Sequence, residues 1–411
     1  MKANMIKHTT LIALGLMTAA HAADLRIYPG FSEIRENVQV GDKYSLTLPL
    51  EQYGLILPGS LTLEGVDVLT QTSQQVLNSL EGQKVLVKKG TELVEAEVVR
   101  ANDLLLKDLK TGRYFYADPR DIEYLTLPEQ PALRVDFLLS KGGNATLSYL
   151  TQGISWSPRY NLNLSDNGHT FNAWADIRNN TGRKITVDRT ELFGGDVNLQ
   201  QDYYPRPMAA PVTAGMMDKA AANEVIAQGE SGGLYRYDLS QPFTLEVGGT
   251  YTLPFVKPQT KVTSFVSATS YFYPQNTEGN LSRMYKFTST EFLPRGTVTV
   301  REDGRIVGQA QIPDLTANKE TQLNLGQDAD VSFKREVKTV SQSDSKAVFN
   351  VTLTLKNNKK RAVQAQFKDM LNGKFEIKGN VKSTTEGVLV EPKLNAGEKR
   401  TYSYTITQIY K

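Results

Sequence analysis

The chain of 411 residues carries 47 lysines and arginines against 44 aspartates and glutamates, and it has no cysteine. Without cysteine there are no disulfides, no thiol nucleophile and no cysteine-ligated metal, so stability has to come from buried area and strand pairing. The near-balanced charge gives nucleic acid no electrostatic foothold, and none is expected as a partner.

Residues 1–22 read as a secretory signal peptide. Lys2 and Lys7 make a positive start, Thr9 to Ala20 is mostly apolar, and Ala20-His21-Ala22 is a small-x-small cleavage site before Ala23. The apolar run is too short to span a bilayer, and no later run is long enough, so no transmembrane helix is expected after signal removal. The expected location is export, to the periplasm or the cell surface. His8 and His21 leave with the signal, so His169 is the one histidine of the mature chain.

The rest reads as strand nearly throughout: short runs of Val, Ile, Thr, Tyr and Phe between Gly, Asn and Asp turns. The expected fold class is all-β, with several small β domains: an SH3-like small barrel and immunoglobulin-like β-sandwiches. Region 23–70 opens with Leu25 to Val40, broken at Pro29-Gly30, followed by Tyr44 to Leu50 and Leu61 to Leu69. Thr70 to Leu80 is expected as a short helix, with Thr and Ser as caps and a stop before Gly82. It begins a region 71–128 whose remainder, Gln83 to Leu127, crowds four or five short strands between tight turns, the spacing of a small barrel. Pro128 and Pro131 punctuate the boundary.

The central region, 129–335, returns to longer strands. Asn167-Gly168 is the strongest hairpin signal, because both central positions of such a turn want positive φ. His169 lies beside it, and Asn179-Asn180-Thr181-Gly182 makes the next turn. Residues 203–233, rich in Ala, Pro, Gly and Met, are expected as a long mobile insertion, with a short helix in Asp218 to Ile226 as its one candidate element. Thr297 to Ile312 is a hairpin around Glu302-Asp303-Gly304. The region 336–411 reads as a C-terminal immunoglobulin-like domain, with strands Ala347 to Leu355 and Ala362 to Phe367 about Asn357-Asn358. ADIRNNTGRKITV (175–187) and LTLKNNKKRAVQ (353–364) echo one another: strand, Asn-Asn turn, basic residues, strand. The echo is compatible with two sandwiches and too short to prove a duplication.

The chemistry-bearing patterns are sparse. Gly229 to Gly233 matches G-x-S-x-G, but a serine nucleophile needs a base in reach, and His169 at a hairpin tip is the only histidine; a flexible linker is the better reading. Asp328 and Asp330 offer oxygen to a hard cation, without the frame of a calcium loop. A carboxylate pair for hydrolysis is set by geometry that a sequence does not display. No catalytic, metal or cofactor residue is therefore assigned. Tyr114-Phe115-Tyr116 and Tyr271-Phe272-Tyr273 read first as ordinary strand residues with one face in a core. Trp156, Pro158, Tyr160, Leu162 and Leu164 share one parity, which places Trp156 in a core and Pro158 at an edge or bend. Trp174 is in phase with Asp176 instead, and is expected to be partly exposed. The candidate interaction surface is Tyr203, Tyr204, Trp174, Tyr235 and Tyr237.

Y-x-x-x-G-I-S-W-S-P-R-Y-N-L-N-L (149–164), A-D-I-R-N-N-T-G (175–182) and L-F-G-G-D-V (192–197) resemble the bacterial domain-of-unknown-function family labelled mucoidy-inhibitor-A-like. F-L-P-R-G-T-V-T-V-R-E-D-G (292–304) and L-N-L-G-Q-D-A-D-V-S-F-K-R (323–335) agree, as do LRIYPGFSEIRENVQV and LPGSLTLEG near the start. Many relatives carry a long coiled coil after the opening strands, where this chain has its small barrel. The resemblance implies an exported β-rich protein and transfers no catalytic residue; its label hints at exopolysaccharide or envelope homeostasis. The expected function is a non-enzymatic cell-envelope module, structural or protein-interacting, that contacts an envelope protein or polysaccharide through edge strands, loops and the 203–233 insertion. The alternatives are a carbohydrate- or exopolysaccharide-binding protein and, second, a hydrolase using acidic residues.

Overall fold

The computed structural model describes residues 22–76, 80–126, 131–165, 167–199 and 224–410. The chain is all-β and multi-domain, as expected: among these residues the α-helix is a single turn, Leu50–Tyr53, and one 3₁₀ turn covers Pro119–Asp121. No helix among them is long and apolar enough to cross a membrane.

A first β unit is built from strands far apart in sequence. Ala23–Tyr28 pairs antiparallel with Phe31–Val40, which pairs with Gly143–Thr151. On its other edge Ala23–Tyr28 runs parallel to Ile185–Gly194. A second sheet joins Ile154–Ser165 to Gly168–Asn179, and Gly168–Asn179 to Thr250–Pro254. Apolar residues alternate on these strands, so one face of each sheet enters a common core around Ile27, Tyr160, Leu162, Ile177 and Val187, all 0% exposed. Trp156 belongs to that core, and its Nε1 donates to the Phe193 carbonyl at 3.0 Å.

A second unit repeats the connectivity. Thr260–Tyr271 pairs antiparallel with Thr277–Ser289 and parallel with Val363–Met370. Thr321–Gln342 pairs with Thr277–Ser289 and with Lys346–Asn357, which pairs with Lys399–Ile409. This 22-residue strand does the work of two in the first unit, Gly143–Thr151 and Ile154–Ser165.

The two units also share one corner, bond for bond. Asn179 and Asn357 end corresponding strands, and both are 0% exposed. Asn179 Nδ2 donates to the carbonyls of Arg183, Leu245 and Glu246; Asn357 Nδ2 donates to those of Arg361, Leu394 and Asn395. Each Oδ1 accepts the backbone N–H two residues on, from Thr181 and from Lys359. The Gly153 N–H reaches Thr151 Oγ1, and the Asp330 N–H reaches Asp328 Oδ1. The short echo about Asn-Asn in the sequence is therefore the visible part of a structural repeat. A buried side-chain amide satisfies carbonyls that would otherwise face a core unpaired, which is why Asn stands at both places.

Two elements depart from the repeat. Gly296–Glu302 and Arg305–Ile312 form the expected hairpin, with Asp303 and Gly304 at positive φ of 46° and 78°. Although it follows the second unit's first strands, this hairpin runs parallel to Ile154–Ser165 and buries Val298 and Val300 in the first unit's core. Pairing with Ile154–Ser165 begins at Arg159, so Pro158, which has no N–H, precedes the second neighbour. The other departure is the small barrel. Lys84–Lys89, Glu92–Arg100, Leu105–Asp108 and Tyr114–Tyr116 form a meander, and after the 3₁₀ turn Ile122–Tyr124 pairs back onto Lys84–Lys89. It has its own core of Val85, Val87, Ala96, Val98, Leu106 and Ile122.

The helix expected at Thr70–Leu80 is instead strand: Val68–Val76 pairs along its length with Ala132–Leu139. Residues 77–79 lie outside the described residues. The segment has no apolar helical face, and its threonines suit an exposed extended chain. With Ala132–Leu139, whose other edge pairs with Lys43–Pro49, it makes a three-stranded sheet leading to the barrel. The boundaries expected at 70/71 and 335/336 fall inside Val68–Val76 and Thr321–Gln342. Residues 23–70 are part of the first unit, and the second begins with Thr260–Tyr271.

Candidate functional site

Of the five aromatic residues marked in the sequence, Tyr203 and Tyr204 lie outside the described residues. Trp174 is half-buried on the outward face of its strand, with Arg159 and Pro254 as cross-strand neighbours. Tyr235 is half-buried and stacked on Phe292, ring centroids 3.6 Å apart. Tyr237 corrects the expectation of an exposed surface: it is 3% exposed, packs on Trp156 and Phe255, and donates its hydroxyl to the Phe292 carbonyl at 3.4 Å. Leu234–Leu239 adds to the first unit's sheet, so its tyrosine-bearing face is a core face. Burial accordingly pushes the Tyr237 hydroxyl pKa up.

The other patterns resolve structurally. Val225–Ser231 forms a hairpin with Leu234–Leu239, so the segment from 225 onward is ordered strand and the linker reading of Gly229–Gly233 is corrected. The helix expected across 218–226 does not include Val225 and Ile226, which are strand; 218–223 lie outside the described residues. His169 Nε2 lies 3.0 Å from both the carbonyl and the hydroxyl of Thr260, which ties the first unit to the start of the second. Asp328 is 5% exposed and ion-paired with Lys359 at 2.6 Å, so its charge serves the fold. Among the described residues no group of three or more potential metal ligands gathers.

Two places remain where side chains converge without an evident role in the core. The first is the barrel surface. Leu93, Val99, Leu109, Tyr114, Tyr116, Tyr124 and Leu125 are seven of the sixteen large apolar side chains exposed in the described chain, within one short stretch. Tyr114 and Tyr116 are 61% and 66% exposed and share a face, with Phe115 turned toward the barrel core. They lie on an edge strand, paired among the described residues only with Leu105–Asp108.

The second is a cleft of about 240 Å³ at the second unit's corner, lined by Arg283, Tyr285, Glu302, Asp328, Lys359 and Arg361. Glu302 comes from the tip of the crossing hairpin. It accepts the Tyr285 hydroxyl at 2.5 Å and pairs with Arg361 at 3.3 Å. Burial, and then the bond to Glu302, raises the Tyr285 pKa, so this phenol stays a donor. Arg283 Nη2 donates to the Leu325 carbonyl at 3.0 Å, and its Nε finds no acceptor among the described residues. The sequence hides this site because its residues come from separate strands and a hairpin. The available signal was the echo: aligning Asn179 with Asn357 sets Thr181 against Lys359 and Arg183 against Arg361.

The second unit also buries a charge pair. Arg335 and Asp369, 1% and 0% exposed, are ion-paired, and Tyr404 donates to Asp369 Oδ2 at 3.0 Å. Burial raises the Asp369 carboxyl above its ordinary range despite the arginine beside it. This group is enclosed by the second core and closed to ligand.

No family model matches the chain, and no curated protein matches it either.

Proposed function

We propose that this chain is an exported, non-enzymatic cell-envelope protein that works as a protein-interaction module, with the small barrel as its contact element. The observation that carries this is the concentration of exposed apolar and aromatic side chains on the barrel. Such a concentration of exposed apolar side chains is an ordinary mark of a contact site. The barrel has a core separate from both units and joins the first through a three-stranded sheet. The Tyr114–Tyr116 edge strand also offers unpaired backbone groups for strand addition. The likeness to the mucoidy-inhibitor-A-like family supports an envelope setting, and the signal-like residues 1–22 support export.

The test is crosslinking capture from the envelope fraction with the full chain, a chain in which a short turn replaces the barrel, and a Tyr114→Ala/Tyr116→Ala double variant. The expected result is a protein captured by the full chain and lost from both variants. Capture that survives removal of the barrel would defeat the proposal. Because the barrel core is separate, the double variant should change stability by no more than about 0.5 kcal/mol. A second reading, polysaccharide binding, is favoured by the same tyrosine pair, whose two exposed rings on one face suit stacking on successive sugars. Polysaccharide co-purifying without protein would select it.

A further inference from the structure

We propose that the second unit's corner cleft binds a small oxyanion, a carboxylate or a phosphate group, with Arg283 as its principal partner and Arg361 and Lys359 beside it. The structural repeat points to this cleft. In the first unit, Ala23 pairs with Val187 on one side and Glu36 on the other; in the second, Val266 pairs with Ala365 and Arg283. Val187 and Ala365 follow the two corner asparagines at the same distance. Counted through these neighbours, Arg283 takes the register of Glu36.

Glu36 has a clear task in the first unit. Its carboxylate takes Arg183 Nη2 at 2.5 Å, and Tyr149 takes the same nitrogen at 2.6 Å. Arg361, the counterpart of Arg183, has lost that partner and faces another cation across the cleft. The two carboxylates that remain are engaged, Glu302 by Tyr285 and Arg361, Asp328 by Lys359. No carboxylate of the described residues pairs with Arg283. Three cations thus share the cleft with two carboxylates; Asp303, at the exposed hairpin tip, is screened by solvent. An oxyanion entering here supplies the negative partner that Arg283 lacks. A guanidinium suits this, since its planar fork matches the spacing of carboxylate and phosphate oxygens. The cleft volume of about 240 Å³ suits one small anion or a single acidic group of a larger molecule.

The experiment is calorimetric titration of the full mature chain at about 20 mM salt, low enough to limit screening. Inorganic phosphate and glucuronate are the probes, run against wild type, Arg283→Gln and Arg283→Glu. Saturable one-site binding is expected, weakened at least about tenfold in Arg283→Gln, since a hydrogen bond to a charged group is lost. It should vanish in Arg283→Glu, which recreates the first unit's Glu36–Arg183 arrangement and should therefore fold. Phosphate binding alone assigns a phosphate ligand, glucuronate binding alone a carboxylate, and binding of both the shared chemistry. No binding of either probe to folded wild type overturns the proposal, as does binding unchanged in Arg283→Gln. If Arg283→Glu fails to fold, the glutamine variant decides alone.

Discussion

At the first unit's corner, Thr151 and Thr181 stand beneath Asn179, two small neutral side chains close enough that a Cβ on Gly153 would come within 2.5 Å of Thr181 Cγ2. At the second, the same backbone positions carry Asp328 and Lys359 beneath Asn357. A register step further along, Pro158 opposite Ala175 answers to Arg335 opposite Leu353, an apolar residue in one core and a buried cation in the other. The hydrogen-bonded frame is held constant while the side chains around it exchange neutral groups for charged ones. The frame depends on one amide that has no substitute, whereas its surroundings need only be complementary among themselves. The exchange places a charged cleft beside the second unit's asparagine corner.

The comparison is broken most directly at the asparagines. Asn179→Ala and Asn357→Ala each leave three carbonyls without their amide donor, one buried and two part-buried, and each should lose about 4 kcal/mol of local stability. Both tryptophans lie in the first unit, so tryptophan fluorescence during urea unfolding reads the first variant. Amide exchange along Lys346–Asn357 reads the second. Losses that differ by more than about 2 kcal/mol would show that the two corners are alike in geometry and unlike in energy. The next effect is smaller. Lys359→Thr alone leaves Asp328 buried without its cation and should cost about 3 kcal/mol. Adding Asp328→Thr copies the first corner and should return stability to within about 1 kcal/mol of wild type. A double variant no better than the single one would mean that the ion pair is not interchangeable with the hydroxyl pair.

Acid sharpens the contrast with the smallest effect. In the first unit burial would raise the Glu33 carboxyl, but hydrogen bonds from Arg35, Arg26 and Ser148 outweigh it and hold the pKa down. Asp176 is likewise lowered, its burial outweighed by Arg159 and Thr252. Carboxyls lowered by folding add stability above their unfolded values, near pH 4, and that stability is lost as the pH falls through the folded values. Asp369 has the opposite sign: raised by burial, it favours the fold most in acid and less as the pH rises through its folded value. The fluorescence-detected midpoint of the first unit should therefore fall on acidification below about pH 4. Exchange in Val363–Met370 should respond less, or in the other direction. Equal loss in both units would contradict the assigned directions.

Much of the fold was legible because the deciding signals were local. Asn167-Gly168 and Asp303-Gly304 name their hairpins by residue type, with positive φ at Gly168, Asp303 and Gly304, and the short strands of 83–127 name a barrel through their spacing. What failed depended on pairing across distance. Thr70 to Leu80 carries capping residues that serve equally well on an exposed strand, and only Ala132–Leu139, far along the chain, decides between them. Tyr237 reads as surface until its strand is placed against Ile185–Gly194. For the site, parity placed Trp156 and Trp174 well, and it also put Tyr114 and Tyr116 on one face. It had no means of saying that this face is open. Arg283 was out of reach, since its meaning lies in taking the register of Glu36.

The crossing hairpin has a consequence for how the molecule comes into being. As the chain is made, Ile154–Ser165 is followed at once by its partner Gly168–Asn179, yet its other edge stays bare until Gly296–Glu302 arrives. The Tyr160 hydroxyl finds its acceptor, the Pro294 carbonyl, only 134 residues later. By then the second unit's first two strands have already emerged, also unpaired on one side. Neither half can finish before the other has begun, so nascent chains pass through a long interval with open strand edges. A chain of this design benefits from an escort that covers those edges, and truncations between 165 and 312 should aggregate rather than yield a soluble half.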